Sequence, residues 1–176
     1  MTVPAEFARP IAIDTIGEGD RMIAIEADAD ERRRLAARFA LIAIDSLTAR
    51  FAVRRDGAAI VATGDVAAQV VQACSVTGEP IPATVAEAVT LRFVDDLAAG
   101  EEEVELSDDA LDTLPIEDGG IDLGEAAAET MALALDPFPR APEAAAALRA
   151  AGVFGEDEAR PFGALAGLKA KLGKPS

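Results

Sequence analysis

The sequence predicts an α+β fold: a bent antiparallel sheet of about five or six strands, partly barrel-like, with two main helices and a C-terminal helical tail. Two observations predict it. Long runs of alternating apolar residues are joined by short turns, Asp56-Gly57 and Thr77-Gly78-Glu79-Pro80, which makes antiparallel neighbours. Two aspartates, Asp28 and Asp122, each precede a glutamate by three residues and open an apolar helical pattern.

The elements follow in order. Residues 9–13 and 21–27 read as short strands split by the turn-prone segment 17–20. A helix is expected over about 29–40, with Leu35 and Phe39 on one face and Arg32, Arg33, Arg34 and Arg38 covering much of the rest. Residues 47–54 alternate as a half-buried strand: Leu47, Ala49, Phe51 and Val53 on one side, Thr48, Arg50 and Arg54 on the other. A strand at 58–63 follows, with Gly64-Asp65 expected to mark a bulge or bend. A further alternating run spans Val66 to Cys74, and another strand 84–94, with Val85, Val89, Leu91 and Phe93 inward.

Residues 95–119 read as a long, exposed acidic loop with one short strand at 112–116. A helix at about 123–135 follows, with Leu123, Ala127, Met131, Ala134 and Leu135 on one side and Glu125 and Glu129 pointing away; Pro137, Pro139 and Pro142 end it. The division is an α+β domain at 1–142, then an alanine-rich linker and basic tail at 143–176. On a helix, Phe162, Leu165, Leu168 and Leu172 of the tail form one apolar stripe.

Charge narrows the function. Residues 1–159 hold 32 acids against 12 arginines, a net charge near -20, and no basic residue lies between Arg92 and Arg140. Such a body repels nucleic acid and anionic membranes. The only lysines, Lys169, Lys171 and Lys174, sit in the last eight residues. No stretch reaches the roughly 20 apolar residues of a membrane span, and the first residues lack the pattern of a secretory signal. A single cysteine fits a reducing cytoplasm.

The chemical inventory is narrow. There is no His, Tyr, Trp or Asn, so a Ser-His-Asp or Cys-His site cannot form, and no phosphate-binding glycine loop is present. No metal, cofactor or catalytic residue is assigned. Cys74 reads as a buried small hydrophobe at a strand end, since no second soft ligand exists. Glu101, Glu102, Glu103, Glu105, Asp108 and Asp109 form either a solvated loop or an acidic surface for a basic protein. The tail offers an apolar anchor for its own domain or for a partner, through Phe162, Leu165, Leu168, Lys169 and Lys171.

Three blocks, in order, resemble the YceD family, named for large ribosomal RNA subunit accumulation. The first runs from Gly64-Asp65 through Cys74 and Thr77 to Pro80 and beyond. The second is Ile121-Asp122-Leu123 followed by LALDPFPRAP, and the third is Arg160-Pro161-Phe162 with Leu165, Leu168, Lys169 and Lys171. Many relatives carry a C-x-x-C pair in the first block; here Thr77 stands at the second position. Asp136 intervenes between Leu135 and Pro137 where the family passes directly from leucine to proline. The resemblance implies a non-enzymatic bacterial ribosome-biogenesis factor that supports 23S rRNA accumulation, with a basic ribosomal or assembly protein as partner. The alternative is an acidic protein-interaction adaptor unrelated to ribosomes. A carboxylate-based hydrolase rests only on the number of Asp and Glu residues.

Overall fold

The computed structural model describes residues 6–95 and 112–153. Its strands are β1 (Pro10–Ala12), β2 (Arg21–Glu26), β3 (Ala43–Asp56), β4 (Ala59–Ala73), β5 (Pro80–Val94), β6 (Asp112–Pro115) and β7 (Gly120–Asp122). The helices are α1 (Ala29–Arg38), α2 (Leu123–Leu133) and α3 (Ala144–Ala150), and a single 3-10 turn occupies Ile13–Thr15. A five-stranded sheet has the order β2-β3-β4-β5-β6, and β1 pairs with β7 as a separate ribbon. All its neighbours are antiparallel except β5 and β6, which are parallel. The fold is therefore α+β with a mostly antiparallel sheet, and the described strands do not close into a barrel.

Alternation fixes which side of the sheet is inside. Leu47, Ala49, Phe51 and Val53 of β3 are buried, as are Val66, Ala68 and Val70 of β4 and Val85, Leu91 and Phe93 of β5. They form one core with Leu35 of α1 and Leu123, Ala127 and Met131 of α2. Both helices thus cover one sheet face. On the other face, the side chains of Arg50, Arg54, Thr63, Asp65 and Arg92 are outward and largely exposed.

The central strands are longer than alternation alone suggests. Gly64-Asp65 does not form a bulge in β4: Gly64 pairs in register with Phe51, and Asp65 with Arg50. The register shift falls instead between Ile44 and Ser46 of β3. The physical reason for Gly64 is a close approach. A Cβ there would lie 1.9 Å from the Arg50 carbonyl oxygen. The hairpin between β3 and β4 closes at Asp56↔Ala59, with Gly57 at φ +61°, a backbone shape that favours glycine.

The helix starts follow the aspartate signals. The Asp28 carboxylate accepts the Asp30 and Glu31 N–H groups, and Glu31 Oε2 accepts the Asp28 N–H at 2.8 Å, completing a capping box. Asp122 accepts from the Gly124 and Glu125 N–H groups at 2.9 and 3.1 Å. Here the reciprocal arm is missing, because Glu125 turns to Arg38 at 2.5 and 2.9 Å. Glu125 lies off the buried face of α2, as expected, and finds its partner on α1. Arg38 also meets Glu6 at 3.2 Å, so one guanidinium ties α1, α2 and the N-terminal segment together. The helix α1 ends where Ala40 adopts φ 54° and the Leu41 N–H returns to the Ala36 carbonyl at 2.9 Å.

Candidate functional site

Among the described residues, those singled out from the sequence do not all come together. Gly64 and Asp65 sit mid-strand, about 30 Å along β4 from Cys74 at the usual rise of roughly 3.3 Å per residue. Asp122 and Leu123 open α2, where Asp122 Oδ1 also accepts the Arg9 N–H at 2.8 Å and Leu123 is fully buried. Pro80 begins β5. Glu101, Glu102, Glu103, Glu105, Asp108 and Asp109, and Phe162, Leu165, Leu168, Lys169 and Lys171, lie outside the described residues.

Cys74 and Thr77 are brought together, and with a part of the second block. The strand β4 ends at Ala73, and the turn that follows folds tightly: the Cys74 N–H donates to the Glu79 carbonyl and the Gly78 N–H donates back to the Cys74 carbonyl, at 2.8 and 2.9 Å. Gly78 sits at φ +74° in that turn. The Cys74 sulfur accepts the Thr77 N–H at 3.4 Å and the Ala141 N–H at 3.3 Å. Ser75 N–H donates to the Pro139 carbonyl at 2.8 Å. The proline run after α2 is thereby clamped to the β4–β5 turn, and Cys74, Ala141 and Ala144 make a small second core. The Gln72 amide adds a bond to the Asp136 carbonyl at 2.9 Å.

These donors have a chemical consequence. Ala141 N–H first, and Thr77 second, stabilise a negative charge on the buried sulfur and lower the Cys74 thiol to about 7. The residue is the buried small hydrophobe at a strand end that the sequence predicts, and its sulfur also accepts two N–H donors. The Thr77 hydroxyl, at the second position of the broken cysteine pair, bonds to Glu79 at 3.0 Å. Among the described residues no group of three or more His, Cys, Asp or Glu is placed to hold a metal ion.

A second feature is a cleft of about 690 Å³ between the β1–β7 ribbon, β6 and α2. Phe93 and Ile121 contribute to its lining, and Glu117, Asp118, Glu125 and Glu129 supply carboxylates. Glu125 is neutralised by Arg38, whereas no lysine or arginine lines the cleft.

Sequence reasoning missed the pairing of Cys74 with Ala141 and the anchoring of Arg9. Arg9 holds Glu31 through two bonds, at 2.7 and 2.9 Å, and its guanidinium lies 4.5 Å from the Phe7 ring centre. The signal for the first was present in the proline run 137–142, which reads locally only as a helix stop.

No helix among the described residues is long and apolar enough to cross a membrane. No curated protein and no solved structure matches the chain. A family model described as large ribosomal RNA subunit accumulation protein YceD matches residues 62–169. The match takes in most of β4, the Cys74 turn, β5 to β7, α2 and the proline clamp, so the two blocks joined at Cys74 both lie within it. The chain belongs to the YceD family of large ribosomal RNA subunit accumulation proteins.

Proposed function

We propose that the chain is a non-enzymatic assembly factor that supports accumulation of 23S rRNA in the cytoplasm by engaging a basic ribosomal or assembly protein. The family match over residues 62–169 carries the reading. Charge supports the route. A chain of net charge -16 gains little from approaching an RNA backbone, whereas a basic protein is attracted to it. The apolar cleft bearing Glu117, Asp118 and Glu129 offers such a partner a place on the folded body. The acidic residues Glu101, Glu102, Glu103, Glu105, Asp108 and Asp109 extend the same attraction, and the tail adds an apolar anchor through Phe162, Leu165 and Leu168.

A second reading, an acidic adaptor with no ribosomal role, is favoured by the same cleft taken alone. Affinity capture from cells at low and moderate salt, after nuclease treatment, separates the two. Recovery of large-subunit proteins that survives digestion of RNA supports the proposal. Loss of every large-subunit component on digestion removes the protein-mediated route, and a single non-ribosomal client selects the adaptor.

A further inference from the structure

The C-terminal ends of α1 and α2 converge on a groove of about 580 Å³. Phe39, Leu41, Leu135 and Pro139 give it apolar walls, and Gln72 and Asp136 bring its few polar groups. Leu133 on its edge is 84% exposed, and Phe138, between two lining prolines, is 71% exposed. Isolated exposed apolar residues are ordinary, but these two flank one concave apolar surface. Its electrostatics are one-sided. Both helices present their C-terminal ends there, with partial negative charge, Asp136 adds a carboxylate, and no lysine or arginine lines the groove.

The occupant such a groove selects is apolar and cationic together. The chain itself contains one segment of that kind. From Arg160 onward there are four basic residues and no acids, with Phe162, Leu165, Leu168 and Leu172 at helical spacing. Its tether begins near the groove. Pro139 lines the groove, and Ala144, at the start of α3, packs beside Cys74 and Ala141. The seven residues of α3 carry the chain only about 10 Å at 1.5 Å per residue. The nine positions from Val153 to Phe162 then reach up to about 30 Å. A segment tethered this closely meets its site at an effective concentration on the order of millimolar.

We propose that residues 160–172 occupy this groove in the free protein, with the apolar stripe covering Leu133 and Phe138 and the lysines near the helix ends and Asp136. The groove then stores the tail until a partner takes the stripe, so binding by the tail is regulated by its own domain. This deepens the ribosomal reading but fails separately from it, because its test involves no ribosome.

The chain has no tryptophan, so Phe162→Trp in the full-length protein creates a single reporter. The expected result is a blue-shifted emission, with acrylamide quenching reduced about threefold against the urea-unfolded chain; the tethered segment is largely docked at millimolar effective concentration. Leu133→Asp or Phe138→Ser, each at an exposed position, should move both readings to the unfolded-chain values while leaving far-UV circular dichroism unchanged. Met22→Asp, at an exposed apolar residue of β2, should leave them as they are. Solvent-exposed emission in the reporter protein, or emission that neither groove variant changes, overturns the proposal. A blue shift that disappears on dilution overturns it too, since the docking would then be between copies.

Discussion

Replacing Gly64 by alanine probes the centre of the sheet. Gly64 pairs with Phe51 on one side and Val89 on the other. The added Cβ would sit 1.9 Å from the Arg50 oxygen, 2.8 Å from the Arg50 carbonyl carbon and 2.9 Å from the Phe51 Cα. All three atoms are backbone, so no side-chain rotation relieves the clash. The strands β3 and β4 must separate by about 1 Å for the oxygen contact to become tolerable, in a region packed to crystal-like density. Overpacking of this kind costs about 1–3 kcal/mol, and each weakened ladder bond about 1 kcal/mol more. Alanine offsets roughly 0.4–1 kcal/mol by reducing the freedom of the unfolded chain. The net loss is about 3 kcal/mol, or roughly 6–12 °C in Tm for a chain of this length. Thermal and urea melts followed by far-UV circular dichroism measure it, with the urea slope expected to be unchanged. Gly17→Ala is the control, because nothing lies within 4 Å of a Cβ there. A Gly64→Ala protein melting within about 1 °C of the parent, against the several degrees expected from the packing cost, would refute the close approach of the strands.

Three further changes test other parts of the molecule. The Cys74 thiolate should appear by ultraviolet absorbance with a midpoint of about 7, against roughly 8.5 for an unperturbed thiol. Because the folded value is the lower one, its contribution to stability is complete above the unfolded value and is lost as pH falls through about 7; Cys74→Ala should abolish that slope in pH-dependent melts. A double-mutant cycle of Arg38→Ala and Glu125→Ala should give a coupling of about 1 kcal/mol that shrinks in high salt, since both side chains remain partly in water. Ala40→Gly should raise the melting temperature slightly, by about 0.5 kcal/mol of stability, because it relieves a φ of 54° at the end of α1.

Local signals survived into the structure where one residue type had one clear physical use. Asp28 and Asp122 start helices because a carboxylate at that position accepts otherwise unpaired N–H groups. The inward residues of β3, β4 and β5 followed from alternation. Strand lengths were less legible, because Ala43, Gly64, Pro80 and Pro82 lie inside ladders despite weak strand preference. Gly64 shows why: the same glycine that weakens a strand locally lets two backbones meet. The parallel β5–β6 pair and the β1–β7 ribbon depend on long-range contacts that no local pattern encodes. The Cys74 clamp has the same origin, since its donor Ala141 lies 67 residues away. Charge asymmetry needed no structure, but the acidic cleft did: Glu117, Asp118 and Glu129 converge only once β6, β7 and α2 have assembled.

The central claim is that this chain sustains large-subunit rRNA, and deletion of its gene tests it most directly. The ratio of 23S to 16S rRNA, measured with particle profiles under several growth conditions, should fall together with the yield of 50S particles. Restoring the gene should return both. An unchanged ratio and normal 50S particles in every condition would contradict the account.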